Sequence, residues 1–388
     1  MPTPLRRALP AAALLLVWLV GVVGTMTVTL ATLPPTGLDV AYDWLRPYPE
    51  WVQALSRWDA NHYLDIARDG YQNPIQPAFY PLYPLLVRGV ASLGVGLPYA
   101  GVLVSWVAAL VALVCLRGIA RDRFGDEARV ARTAVVFLLA PGAFFLAAIY
   151  TEALFCALAF AAFLFAGRGQ WARTGLVLAL LTATRLPALV VLGAIVVEHL
   201  AQKGFSLRPW RIGRLDRSTA WLALAPVGVL SWYGWCWAAL DDPLASFHAY
   251  DIAWTYQVFD PNIAHTLWVN LVKLAGYATA PGGPDVAWLF RDGLGVGTWL
   301  VLLGFTVVLA RRQPFSWTVL AVGTLVLTSI NSNFQAVNRY ALVVFPVAVA
   351  LAGSRRLAGE GRLALVLLPS AAVLFSSAML FAQARWVG

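Results

Sequence analysis

Residues 8–38 read ALPAAALLLVWLVGVVGTMTVTLATLPPTGL, and no charged side chain interrupts them. A helix that crosses a bilayer needs about 20 consecutive apolar residues, so this stretch is long enough. Arg6 and Arg7 precede it, which raises the possibility of a signal peptide. The apolar part of such a peptide is roughly 7–15 residues. This one is far longer and reads as an uncleaved first span. Three further tracts, 89–116, 218–240 and 313–338, are equally free of charge. The whole chain of 388 residues is 60% hydrophobic and 12% charged, where a soluble protein carries roughly 25% charged residues. The fold class follows: an all-α polytopic membrane protein, with residues 1–388 forming one membrane-embedded domain.

Hydropathy places spans near 11–33, 98–117, 132–148, 150–167, 174–185, 186–200, 218–240, 293–310, 315–333, 339–354 and 363–384, about 11 transmembrane helices. The 174–200 tract reads either as two short helices broken at Arg185-Leu186-Pro187 or as one kinked span. With the N-terminus inside, the inner segments are the N-terminus, 117–132, 168–173, 198–217, 311–312 and 355–362. They hold 19 Lys+Arg and 6 Asp+Glu, and the rest of the chain holds 9 and 13. Basic residues collect on the cytoplasmic side of membrane proteins. The net charge of +9 is therefore a topology signal, and no nucleic-acid partner is expected. This count requires residues 79–93 to lie at the outer interface as a surface helix. Pro81, Pro84 and Arg88 suit that position better than a clean span. Two external segments result, 34–97 and 241–292, both rich in aromatics and prolines and both net negative. Cys115, Cys156 and Cys236 fall in apolar tracts and read as small buried side chains.

The first external segment carries the polar stretch SRWDANHYLDIARDGY, residues 56–71. It reads as a short helix ending at Gly70. Asp59 and His62 are three residues apart and share a face, as do His62 and Asp65. A carboxylate beside a histidine at a membrane boundary suits acid–base work, because reduced water access raises its proton affinity. The competing reading is local: Ser56-x-x-Asp59 is close to a capping box, in which Asp59 only satisfies the first helical turn. Arg57 is placed to pair with Asp59 or Asp65, or to face substrate.

The run Trp58-Asp59-x-x-His62-Tyr63-x-x-Ile66-Ala67-x-x-Gly70-Tyr71, followed by Phe79-Tyr80-Pro81-Leu82-Tyr83-Pro84-Leu85, resembles the PIG-V-type mannosyltransferases. These add the second mannose of glycosylphosphatidylinositol anchors and have prokaryotic relatives. More broadly it resembles the GT-C class of polyprenyl-phosphate-sugar-dependent glycosyltransferases. The match is specific over residues 57–88. It is weaker at Tyr150-Thr151-Glu152-Ala153-Leu154-Phe155, Thr184-Arg185, Asn338-Arg339-Tyr340 and Phe345-Pro346. The resemblance implies a GT-C-like fold with surface helices in the first external loop, and an essential acid there, Asp59 ahead of Asp65. It implies an inverting displacement at an anomeric carbon: a base takes the proton of an acceptor hydroxyl and a lipid phosphate leaves. His62 orients Asp59 or binds a sugar hydroxyl. Arg185 and Arg339, at outward ends of spans, are the phosphate-binding candidates, since charge at membrane depth is functional or paired and a guanidinium forks onto two oxygens. Pairing of each with Glu152 to hold helices together is the alternative. Glu152 is then a structural partner or a lining residue, and Trp58, Tyr80, Tyr83 and Tyr340 complete the substrate-binding set.

The implied donor is a polyprenyl-phosphate sugar and the acceptor a glycan, glycolipid or protein, with no cofactor. His62, His248 and His265 lack metal-ligand spacing, so no metal site is expected. In the second external segment, His248, Tyr250, Asp251, Trp254, Tyr256, Asp260 and His265 form an aromatic-polar cluster that suits a membrane interface or a sugar. Compact loops and the absence of eukaryote-style length point to a prokaryotic plasma membrane, with the active site facing outward. A transporter or lipid flippase is the competing class, favoured by the broken 174–200 tract. A GT-C enzyme using a sugar other than mannose is another.

Overall fold

A computed structural model describes residues 4–33, 43–207, 210–254, 259–280, 283, 286–330 and 332–387. Among these residues the chain is helical apart from one minimal hairpin, Ser206–Leu207 against Trp210–Arg211, antiparallel with Ser206 opposite Arg211. The α-helices are α1 (Pro4–Thr32), α2 (Glu50–Leu55), α3 (Asp59–Asp69), α4 (Leu82–Ala91), α5 (Leu97–Phe124), α6 (Glu127–Leu138), α7 (Glu152–Gly167), α8 (Trp171–Thr182), α9 (Ala188–Gln202), α10 (Val227–Leu240), α11 (Ala245–Ala253), α12 (Ile263–Ala278), α13 (Val286–Arg312), α14 (Phe315–Ser329), α15 (Val337–Tyr340), α16 (Pro346–Gly353) and α17 (Glu360–Ala382).

Among the described residues, five helical segments are long and apolar enough to cross a bilayer: Pro10–Thr32, Leu97–Phe124, Arg217–Leu240, Val286–Arg312 and Gly361–Ala382. Shorter apolar helices, among them α7, α8, α9 and α14, pack between them. The protein is an integral membrane protein. The count of eleven spans is not confirmed, and two of the expected spans are not continuous helices. The 132–148 tract is not one helix, because α6 stops at Leu138 ahead of Pro141-Gly142 and only a tight 3-10 turn, Ala143–Leu146, follows. The 339–354 tract is likewise interrupted between Tyr340 and Pro346. Proline removes a backbone donor and clashes with the preceding turn, which accounts for both breaks. The 174–200 tract is two helices rather than one kinked helix.

Helix α4 has ten residues, about 15 Å at 1.5 Å per residue, half of what a span requires. It packs on α3 and α5, so residues 79–93 contain a short helix and no span. Arg88 on α4 donates through Nε to the carbonyl of Ala67 (2.7 Å) and through Nη2 to that of Ile66 (3.2 Å). A cation there complements the negative end of the α3 dipole, and α3 stops at Gly70, whose φ is +83°.

Helix α7 is the axis of the molecule. It is apolar all round, and 13 of its 16 residues are buried, the condition under which such a helix is stable. It lies against α5, α8 and α9. At its C-terminal end Gln202 donates to the Ala166 carbonyl (2.9 Å) and Arg168 pairs with Asp122 (2.7 Å). At its N-terminal end stands Glu152. The break between α8 and α9 reaches that same end. Its freed polar groups are satisfied, as apolar surroundings demand: the Ala183 carbonyl accepts from Leu82 N–H (3.1 Å), and the Thr184 hydroxyl donates to Leu181 O (2.6 Å).

Candidate active site

Helix α3 begins at Asp59 without a side-chain cap. Ser56 Oγ donates back to Val52 O (2.7 Å), so the capping-box reading of Asp59 does not hold, and the Asp59 carboxylate points elsewhere. The backbone before it is unusual. Trp58 has φ +55° and ψ −118°, a conformation that suits glycine and strains a bulky residue. The Tyr150 hydroxyl bridges the two sides of this residue. It donates to the Arg57 carbonyl (3.0 Å) and accepts from the Asp59 N–H (3.2 Å). The adjacent Ile149 N–H bonds Leu55 O (3.0 Å), so residues 149–150, just ahead of α7, fix the entry to α3.

Asp59 Oδ2 accepts from Arg339 Nη1 at 3.0 Å. Arg339 Nε reaches Glu152 Oε1 at 2.7 Å, and Arg185 Nη1 reaches the same oxygen at 2.8 Å. The result is an alternating chain, Asp59–Arg339–Glu152–Arg185, with two cations and two carboxylates. Its middle members are the most buried: the side chains of Arg339 and Glu152 are 6% and 1% exposed, against 18% for Asp59 and 13% for Arg185. A ligand therefore meets the two ends of the chain, a carboxylate and a guanidinium. Among the described residues Arg185 bonds through Nη1 alone, which leaves Nε and Nη2 for another acceptor. Glu152 Oε2 has no hydrogen-bond partner among the described residues.

Aromatic rings enclose these charges. The Arg339 guanidinium lies over Phe145 (4.9 Å), Tyr150 (5.0 Å) and Trp386 (5.4 Å), and that of Arg185 over Tyr340 (4.9 Å) and Phe155 (5.7 Å). Such faces attract cations and exclude water. Trp386 meets Trp58 edge-on at 5.6 Å, and Asn338 Nδ2 donates to Val387 O (2.9 Å), so the C-terminal segment closes one side. Gly142 permits this closeness, because a Cβ there would stand 2.3 Å from Asn338 O. On the far side of Asn338 opens an apolar cavity of about 680 Å³, lined by Phe137, Gly142, Gly293, Gly297, Asn338 and Phe345 among others.

The remaining expected site residues fall around this centre at varying distance. His62 is half-buried and stacks on Phe79 (4.8 Å) without a hydrogen bond to Asp59. Burial lowers its pKa below the ordinary histidine value, and Asp59 and Asp65 oppose the shift. Asp65 turns outward to Arg68 (2.9 Å). Arg57 is buried. Tyr83 is buried and ties α4 to α5 through Gly101 O (3.1 Å) and Ser105 Oγ (2.7 Å). Tyr80 shares a hydrogen bond with Tyr233 (3.0 Å). In residues 241–292 His248 pairs with Asp242 and His265 with Asp260, each on its own. Trp254 stacks near Tyr250 and reaches Phe79 (6.1 Å), Asp251 is exposed, and Tyr256 lies outside the described residues. Sequence reasoning did not single out Tyr150, Phe145 or Trp386. Tyr150 opened a quoted motif and was readable as polar in an apolar tract, whereas Trp386 carries no local signal.

The model of the family described as Mannosyltransferase (PIG-V) matches residues 13–217. The chain belongs to the PIG-V mannosyltransferase family. The matched residues include Asp59, Glu152 and Arg185, and Arg339 completes the cluster from beyond them. The GPI alpha-1,6-mannosyltransferase 2 of Cricetulus griseus is 32% identical over 60% of this chain and 47% of its own length. The human protein of the same name is 30% identical over 61% and 48%, and the GPI mannosyltransferase 2 of Yarrowia lipolytica is 28% identical over 39% and 42%. The chain spans about half the length of the curated relatives it matches first. These relatives are eukaryotic and lend no support to the prokaryotic membrane expected from loop length. Among solved structures, the archaeal oligosaccharyltransferase AglB from Archaeoglobus fulgidus, in complex with an inhibitory peptide and a dolichol-phosphate, is similar at a TM-score of 0.42 and 12% identity, over 96% of this chain and 56% of that one. At that distance the likeness assigns neither activity nor site.

Proposed function

We propose that this PIG-V family member transfers mannose from a polyprenyl-phosphate donor to a hydroxyl of a membrane glycolipid, with inversion at the anomeric carbon. The observation that carries the reading is the Asp59 carboxylate: it stands at the exposed end of a buried charge chain, held by one oxygen on Arg339, and its other oxygen makes no hydrogen bond among the described residues. Asp59 takes the proton of the attacking hydroxyl as the new C–O bond forms. The bond from the anomeric carbon to the phosphate breaks, and its electron pair leaves with the polyprenyl phosphate. A positioned base of this kind contributes about 10²–10⁴-fold. Charge developing on the leaving phosphate is met by Arg185, whose Nε and Nη2 make no hydrogen bond among the described residues. Arg339 is committed to two carboxylates and acts by aiming Asp59. The donor's isoprenoid tail suits the apolar cavity beside Asn338. The reading invokes no cofactor and places the site at the outer face, with the N-terminus cytoplasmic.

The test is reconstitution of the purified protein in liposomes with radiolabelled polyprenyl-phosphate-mannose, -glucose and -arabinose and a panel of mannose-bearing glycolipids. Labelled mannose should appear on a glycolipid in α-linkage. Transfer of another sugar alone would overturn the donor assignment. No transfer from any lipid-linked sugar, together with net movement of a lipid or solute across the bilayer, would make the protein a transporter.

A further inference from the structure

We infer that Tyr150 is a positioning residue whose hydroxyl holds the peptide around Trp58 in a high-energy conformation, and that this conformation aims Asp59. The inference rests on Asp59 being the base. The four residues Arg57, Trp58, Asp59 and Ala60 form a turn closed by Ala60 N–H to Arg57 O (3.2 Å). Trp58, at φ +55° and ψ −118°, occupies its first corner in the geometry that mirrors a type II turn, a corner that belongs to glycine. Tryptophan has no local reason to adopt it. The Tyr150 hydroxyl grips the corner on both sides: it donates to Arg57 O and accepts from Asp59 N–H. Bringing Trp58 to a negative φ requires rotating the Arg57–Trp58 peptide, which would turn the Arg57 carbonyl away from the Tyr150 hydroxyl. It would also re-aim the first residue of α3, which is the carboxylate that Arg339 holds. The hydroxyl and the strained corner thus set where the base points.

Packing alone is separable from this role. Tyr150→Phe keeps the ring that lies under the Arg339 guanidinium and deletes only the bridge. With polyprenyl-phosphate-mannose as donor, Tyr150→Phe should lower kcat by about tenfold and leave the donor KM within about twofold, the signature of a lost transition-state contribution. Repeating the substitution in a Trp58→Gly background closes a double-mutant cycle. Glycine adopts the corner unaided, so there the same change should cost less than about threefold, whatever Trp58→Gly does alone. A Tyr150→Phe enzyme with wild-type kcat overturns the inference, as does an equal loss in both backgrounds. If Trp58→Gly is itself inactive, the division between kcat and KM decides. If Tyr150→Phe does not fold, as judged by size exclusion in detergent, the double variant should fold, and its failure to fold also overturns the proposal. Asp59→Asn, assayed in parallel, separates the two levels. If it transfers normally, the reading of Asp59 as base fails. If it is inactive while Tyr150→Phe is normal, only the role of Tyr150 falls.

Discussion

The two ends of α7 carry the same kind of interaction in opposite settings. At the C-terminal end, Arg168 meets Asp122 with side chains 39% and 46% exposed, and nearby Arg121 pairs with Glu127. At the N-terminal end, Glu152 takes both Arg185 and Arg339 with almost no exposure, beneath aromatic rings. Exposed pairs contribute about 0–1 kcal/mol. Buried ones are expensive to assemble and worse to break, because the surviving partner is left as an uncompensated charge. The difference teaches that the first set marks which end of the bundle is basic, whereas the second set is built on a buried pair, Glu152 and Arg339, that cannot be broken without leaving charge uncompensated.

Breaking the buried unit should have the largest effect on the fold. Arg339→Ala takes the cation from Asp59 and leaves Glu152 with Arg185 alone, and should destabilise the protein by about 3–5 kcal/mol, read as a lowered unfolding midpoint in detergent. Arg339→Lys keeps the charge but loses the fork onto two carboxylates and should recover only part of the loss. Arg185→Ala is the milder cut, since Glu152 keeps Arg339. It should raise the donor KM by about tenfold, the scale of one lost charge-assisted contact, with less change in unfolding; initial rates against donor concentration check this. His62 sharpens the comparison through pH. Its folded pKa is depressed by burial, so its neutral form contributes stability that is fully present above the ordinary value near 6.5 and is lost as pH falls through the lower folded value. Unfolding midpoints measured from pH 7.5 to 5 should decline, and His62→Gln should flatten that decline. Smallest of all, Arg168→Ala at the exposed end should shift stability by no more than about 1 kcal/mol, and by less in high salt.

Much of this was legible in the sequence because apolarity is local. Three of the four charge-free tracts became long apolar helical segments while 313–338 gave only the shorter α14, and residues 79–93 hold a short helix, as the basic count required. Glu152, Arg185 and Arg339 each announced themselves as charges in apolar surroundings, and Asp59 through its spacing to His62 and the motif around it. What they do to one another was not legible, since Arg339 finds Glu152 across 187 residues and Asp59 across 280. No local pattern separates a phosphate-binding arginine from one already committed. The corner at Trp58 was hidden for a similar reason. Tryptophan predicts an ordinary backbone there, and the hydroxyl that grips the corner belongs to Tyr150, 93 residues beyond Arg57. The breaks at Pro141 and Pro346 were written in the sequence, but hydropathy runs through them unchanged.

The central claim is that the chain of buried charges exists to present one carboxylate. Asp59→Asn tests it most directly, because asparagine keeps the shape and Arg339 keeps Glu152. Initial rates of mannose transfer in liposomes should fall by about 10²–10⁴-fold, while the unfolding midpoint stays far closer to wild type than that of Arg339→Ala. A folded Asp59→Asn protein that transfers mannose at the wild-type rate would contradict the account.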